Sequence, residues 1–171
     1  MNPDPEIRET SSPSHDLLML ADESPESVAD YVGRSRCFVA QLAGRAVGQY
    51  LLLHPRPFTA GVVSIAVDPA CQRRGIGTAL LHHAIRTARA AGFRRLEIGT
   101  GETGTGQIAL YERSGFVRCG IDPDYFRQYY PPPIIENGTE CRPMVRLGME
   151  LPPHPPTQGR CPPATARTPP P

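Results

Sequence analysis

The spacing of apolar residues along the chain alternates between a period of two and a period near 3.6, and each change marks an element. "EIRE" at 6–9 reads as a short strand. "SHDLLML" and "SPESVADYVG" after it read as two short helices. Ser24 is placed to cap the second of these, with Pro25 at its first position and Gly33 after its end. "CFVAQLAGRAVGQYLLLH" carries two apolar runs joined at Ala43-Gly44-Arg45 and predicts a β-hairpin. "GVVSIAVDP" is apolar on both faces, as a strand central in its sheet should be. In "GIGTALLHHAIRTARAAG" the residues Leu80, Leu81, Ala84, Ile85 and Ala88 form one helical stripe that stops at Gly92. His82 and His83 lie off that stripe, point about 100° apart and cannot share a metal, so both read as solvated.

"FRRLEIG" is then a strand, "GQIALYERSG" a helix of under three turns and "FVRCGI" another strand. An irregular, Pro-rich insertion fills 122–142. "PMVRLGMEL" closes the domain, with Val145, Leu147, Met149 and Leu151 alternating with polar or small residues. The order, a strand, two helices, three strands, a helix, a strand, a helix and two strands, predicts an α/β or α+β domain with a mixed sheet.

Composition narrows the function classes. The 171 residues suffice for one domain with a real core. The proline-rich segment 152–171 has no apolar periodicity and reads as a disordered or polyproline-like tail, a solvated terminus rather than a partner-docking segment, leaving a working domain of residues 1–151. A formal net charge of +1 gives no reason to expect a nucleic-acid or membrane-surface protein. No run of about 18 apolar residues predicts a membrane span, and no secretory leader is visible in "MNPDPEIRET". Cys37, Cys71, Cys119, Cys141 and Cys161 are an odd number at irregular spacings, which suits reduced thiols in a cytoplasmic protein. None forms a ligand pair, so no metal site is expected.

Two glycine-rich turns compete as cofactor sites. "LEIGTGETGTG" contains Gly99-x-Gly101-x-x-Gly104, the spacing of a dinucleotide fingerprint, and Glu97 two residues ahead also gives it the look of a methyltransferase motif. Both of those folds need several strands after the motif, and only two strand-like segments follow here. The methyltransferase form also wants glycine where Thr103 stands. Asp122 lies near the distance an adenosine-binding acid would need, which is weak support alone. The second turn, in "SIAVDPACQRRGIGTALL", runs strand, Asp68-Pro69 turn, Gly-Ile-Gly, long helix. Gln72, Arg73, Arg74, Gly75, Ile76 and Gly77 put unpaired N–H groups at a helix start, where the macrodipole favours anions. Without a Walker lysine it is not a P-loop. From the residues alone, a phosphate site and an ordinary helix start both stand.

Gln72-Arg73-Arg74-Gly75-Ile76-Gly77 resembles the Q/R-x-x-G-x-G/A acetyl-CoA motif of the GCN5-related N-acetyltransferases. "VSIAVDP" stands where their fourth strand does, and "ALYERSGF" resembles their "LYEKxGF" segment. The resemblance covers residues 35–151. "EIGTGETGTGQIALY", "GIDPDYF" and "IIENGTECRPMVRL" are further similar to a YvbK-like bacterial subgroup. That resemblance implies a mixed, mostly antiparallel sheet flanked by helices and splayed between its fourth and fifth strands. It implies acetyl-CoA in the splay as co-substrate, the pyrophosphate on the turn from Gln72 through Thr78, and the pantetheine along Ile65, Ala66 and Val67. The activity implied is acetyl transfer to a primary amine of a small molecule or protein, with a homodimer as the family's common assembly. The alternative is a non-catalytic acyl-CoA-binding module on the same fold.

Tyr111 matches the family tyrosine that protonates the leaving thiolate; it could instead only pack or orient the cofactor. Glu97, aimed away from Leu96 and Ile98 by the period of two, is the candidate general base, or else a salt-bridged strand residue. Asp122, Asp124 and Glu136 in the insertion could attract a cationic amine. The subgroup carries asparagine directly after "GTG", where this chain has Glu102. That leaves open whether this loop meets the cofactor or a basic substrate.

Overall fold

The computed structural model describes residues 5–136 and 138–153. The chain begins with β1 (Glu6–Thr10), α1 (His15–Ala21) and α2 (Pro25–Val32). Both helices start on a serine, as short helices need, because their unpaired amides outnumber their internal bonds. Ser14 accepts from the Leu17 amide, and Ser24 from the Ser27 amide at 3.2 Å with Pro25 behind it. Gly33 after α2 keeps a right-handed conformation, so the stop does not depend on its being glycine.

β2 (Arg36–Leu42) and β3 (Arg45–Arg56) form the expected hairpin. Ala43 and Gly44 at the turn both have positive φ, 48° and 78°, the primed geometry that matches the strand twist. β3 then turns through Pro57 and Phe58 into β4 (Thr59–Val67). A turn of 3-10 helix (Pro69–Cys71) leads to α3 (Ile76–Ala90) and β5 (Arg95–Gly101). The chain ends with α4 (Thr105–Arg113), β6 (Val117–Asp122), α5 (Tyr125–Tyr129), the two-residue strands β7 (Ile135–Glu136) and β8 (Thr139–Glu140), and β9 (Met144–Glu150). The 122–142 insertion is therefore less irregular than its prolines suggest, since it contains α5 and the β7–β8 pair.

The large sheet has the order β1-β2-β3-β4-β5-β9-β6, with β4 in the middle. All neighbours are antiparallel except β4 and β5, which α3 joins as a crossover. One face packs on α3 and α4 and holds the larger core, including Tyr50, Leu80, Leu96 and Leu147. The other face packs on α1 and α2 through Leu18, Val28, Tyr31, Cys37 and Leu51. Gln49 is buried in β3 because its amide grips the start of α1: it accepts from the Ser14 N–H and donates to the Ser14 carbonyl. One expectation fails here. His83 is half-buried rather than solvated, with Nδ1 2.8 Å from the Tyr50 hydroxyl. Burial, with the charge of Arg86 behind it, pulls its pKa down and favours the neutral ring.

Candidate active site

The parallel pairing of β4 and β5 runs from Thr59 opposite Arg95 to Val62 opposite Ile98 and goes no further. Past that point the two strands separate, and a cavity of about 260 Å³ opens between them. A bulge in β4 sits at the same place. Leu51 faces Ser64 while Leu52 faces Val62, so Val63 is an extra residue. The extra residue reverses the alternation. Ala60 and Val62 face the α3 core before it, Ile65 and Val67 after it, and Ser64 is left on the α1–α2 face.

The open edge of β4 offers donors. The Asp68 amide donates across β3 to the Val47 carbonyl at 2.9 Å. Amide directions alternate along a strand, so the N–H groups of Ile65 and Val67 point to the vacated edge. Ala66, the middle one of the three residues expected to line the pantetheine, turns its amide toward β3 opposite Gln49.

β4 leads into the helix start that the sequence marked. Asp68 caps the Ala70 amide, and the Gln72 side chain donates to the Val67 carbonyl, closing the turn. Arg73 and Gly75 have positive φ, 60° and 81°. α3 starts with no side-chain cap, and its first internal bond is from the Ala79 amide to the Gly75 carbonyl. The N–H groups of Ile76, Gly77 and Thr78 therefore have no acceptor within the helix, while Gln72, Arg73, Arg74 and Gly75 around them are exposed.

At the inner end of the cavity stands Tyr111 of α4, 4% exposed. Burial pushes its phenol up to about 12. Glu97 points to the opposite face of the sheet, while Leu96 and Ile98 are buried, as the alternation requires. Its Oε1 accepts from Arg56 and from Arg95 Nε at 2.7 Å, and it lines a second, outer cleft of about 840 Å³. Tyr111 and Glu97 thus lie toward opposite faces of the sheet, Glu97 level with Gly61 where β4 and β5 are still paired.

Asp22, Val63, Gly99, Tyr130 and Met144 line both the inner cavity and the outer cleft. The insertion supplies one wall, through Phe126 and Tyr130, and the α1–α2 turn supplies the other. They are joined by a hydrogen bond of 3.0 Å from the Tyr130 hydroxyl to Asp22 Oδ2 across 108 positions of chain. Asp122 and Asp124, expected as lures for an amine, are held by Arg146 and Arg142. Glu136 lines the inner cavity and accepts from the Thr103 hydroxyl. Glu102 is exposed and lines neither space. Asp22, Ser64 and Tyr130 were not marked in the sequence. The one signal was a lone serine in the apolar run of β4; a contact spanning the whole domain leaves none.

The glycines of "GTGETG" answer to packing. A Cβ on Gly99 would lie 2.7 Å from Met144 Sδ, one on Gly101 would collide with Cys141 Sγ, and one on Gly104 would lie 2.8 Å from Thr100 Oγ1. They let the insertion and β9 close over the splay.

The pattern of the acetyltransferase (GNAT) family matches residues 5–116. An N-acetyltransferase of Bacillus subtilis strain 168, YvbK, is 41% identical over 143 residues, 84% of this chain and 92% of that protein. Among solved structures, the IAA acetyltransferase of Bacillus cereus ATCC 14579 superposes with a TM-score of 0.83 at 44% identity, covering 86% of this chain and 99% of that one. A GNAT acetyltransferase of Elizabethkingia anophelis with acetyl-CoA bound gives 0.83 at 36% identity, with the same coverage.

Proposed function

The chain belongs to the acetyltransferase (GNAT) family, and from that premise we propose that it transfers the acetyl group of acetyl-CoA to a primary amine of a small molecule or protein. The observation that carries this reading is the parting of β4 from β5 after Val62 and Ile98, with Tyr111 at its inner end and free amides along its outer edge. Acetyl-CoA, bound there, supplies an activated acyl group as a thioester. The backbone N–H groups of Ile65 and Val67 suit the pantetheine carbonyls, which complete the interrupted sheet. The uncapped start of α3, with the exposed Arg73 and Arg74 beside it, suits the pyrophosphate.

Transfer needs a neutral amine at the carbonyl and a proton for the departing sulfur. Tyr111, kept protonated by its burial, is the donor to the thiolate. Glu97 stands on the amine side. Its Oε1 is engaged by two arginines, so in this role it takes the amine's proton through Oε2 or a bridging water.

Ligand-induced stabilisation tests the cofactor. Acetyl-CoA at about 100 times its dissociation constant is expected to add about 2.7 kcal/mol to stability. That is several degrees in melting temperature, with no shift from NAD or S-adenosylmethionine. A shift with NAD alone would sink the reading.

A further inference from the structure

The amine side of the splay contains two polar atoms that nothing in the fold explains. Ser64 Oγ and the Tyr31 hydroxyl are buried and make no hydrogen bond of ordinary geometry. Ser64 is 5% exposed and Tyr31 8%. A buried hydroxyl without a partner costs about 1–3 kcal/mol, and this pair, near each other and Asp22 without closing a hydrogen bond, suits a ligand or water that satisfies both. Ser64 lines the inner cavity because the β4 bulge turns it there, and Tyr31 lines the outer cleft. Asp22 borders both spaces and faces the Tyr31 phenol. Burial first, then the Asp22 charge, pushes that phenol up to about 12, so it is present as a donor.

The charges around this point have one sign left over. Three arginines line the outer cleft, and each already holds a carboxylate: Arg34 with Asp30, Arg56 with Glu97, Arg146 with Asp122. Among the described residues, Asp22, Glu23 and Glu26 have no arginine partner; Glu136, facing them from the insertion, holds only the Thr103 hydroxyl. Tyr125, Tyr129 and Tyr130 wall the same cleft with ring centroids 5.0 and 6.2 Å apart, and ring faces attract cations.

We propose that Asp22 receives the acceptor as an ammonium ion, that Ser64 and Tyr31 carry away its proton, and that the acceptors are cationic amines without a neighbouring carboxylate. A substrate carboxylate would meet no unoccupied guanidinium in the cleft and would face Asp22. The ammonium held by Asp22 Oδ2 loses one proton along Ser64 Oγ and Tyr31 toward solvent. Its nitrogen lone pair forms the C–N bond to the thioester carbon, and the C–S bond breaks. On collapse the second nitrogen proton passes to Glu97 and the sulfur gains one from Tyr111; Tyr111 is reprotonated from solvent as Glu97 discharges, and one proton is released overall.

This rests on the acetyl-transfer reading, and the test separates the two. Matched pairs are assayed by CoA release: agmatine against arginine, cadaverine against lysine, tyramine against tyrosine. The amine of each pair is expected to react with at least about tenfold higher kcat/KM. D22N removes the charge and leaves one acceptor oxygen for the two donors that Asp22 now holds, the Ser24 amide on Oδ1 and the Tyr130 hydroxyl on Oδ2. It should raise the KM for the amine at least about tenfold while the melting shift caused by acetyl-CoA is unchanged. Calorimetric binding of the amine to the enzyme–CoA complex should weaken in parallel. S64A should lower kcat/KM at pH 7, with the deficit shrinking as pH rises toward the amine pKa near 10 and the acceptor arrives neutral. Preference for the amino acids, an unchanged amine KM in D22N, or an S64A deficit equal at every pH would overturn the proposal. If the wild-type protein shows no acetyl-CoA shift, the function itself fails instead.

Discussion

In the proposed transfer Tyr111 is the proton donor, and its surroundings decide its protonation. Burial against Ile108 and Phe116 holds the phenol at about 12, so it remains a proton donor throughout the range in which a thiolate needs one. Y111F is therefore expected to lower kcat by about 100-fold, the ordinary worth of a positioned acid, with little change in acetyl-CoA affinity. The wild-type pH profile of kcat should show no fall attributable to this group up to pH 10. Single-turnover rates checked against the binding isotherm decide it, and an equal loss in both quantities would make Tyr111 a packing residue. Glu97 is a different case. Alternation along β5 identified which way it points, but the two arginines at its Oε1 come from β3 and from its own strand, and only the first is out of reach of sequence reasoning.

The start of α3 shows two glycines with separate physical duties. Gly75 has φ +81° and nothing within 4 Å of a Cβ, so alanine there is strained by backbone conformation alone, at a cost of about 1 kcal/mol. Gly77 is an ordinary helical residue whose Cβ would lie 3.4 Å from Leu110 Cδ2, a normal contact. G75A is expected to lower the melting temperature. G77A should leave it unchanged or raise it, and yet raise the KM for acetyl-CoA, because a methyl beside the Gly77 amide obstructs the phosphate. Differential melting of the two variants with and without acetyl-CoA checks both statements. Helix α3 was legible in the sequence because its stripe and its stop are local. The β4 bulge was not: an inserted residue leaves an apolar run looking the same, and only the register against β3 reveals that Ser64 has changed faces.

In the whole molecule, the site exists because β9 fills the place beside β5, so β5 is held on its far side and can leave β4 without unravelling. The last core side chain is Leu151, 1% exposed, and its amide donates to the Arg94 carbonyl at 2.7 Å. A chain ending at Pro153 is therefore expected to keep its turnover and to melt within about 2 °C of the full chain, since it retains every buried side chain of the described residues. A larger drop in a thermal scan would assign the proline-rich segment a structural part. Its residues 154–171 lie outside the described ones.

The sequence by itself determined the elements outside the 122–142 insertion, the helix start suited to an anion, the tyrosine of α4 and the family, because each depends on neighbours within a few residues or on a short motif. Tertiary structure decided which groups meet across the splay. Asp22 joins Tyr130 from the far end of the domain, and Ser64 is aimed by a bulge at Tyr31. The physical reason is one of range. Periodicity and capping act along the chain, whereas the acceptor side is built from strand register and from two loops brought together by the sheet beneath them.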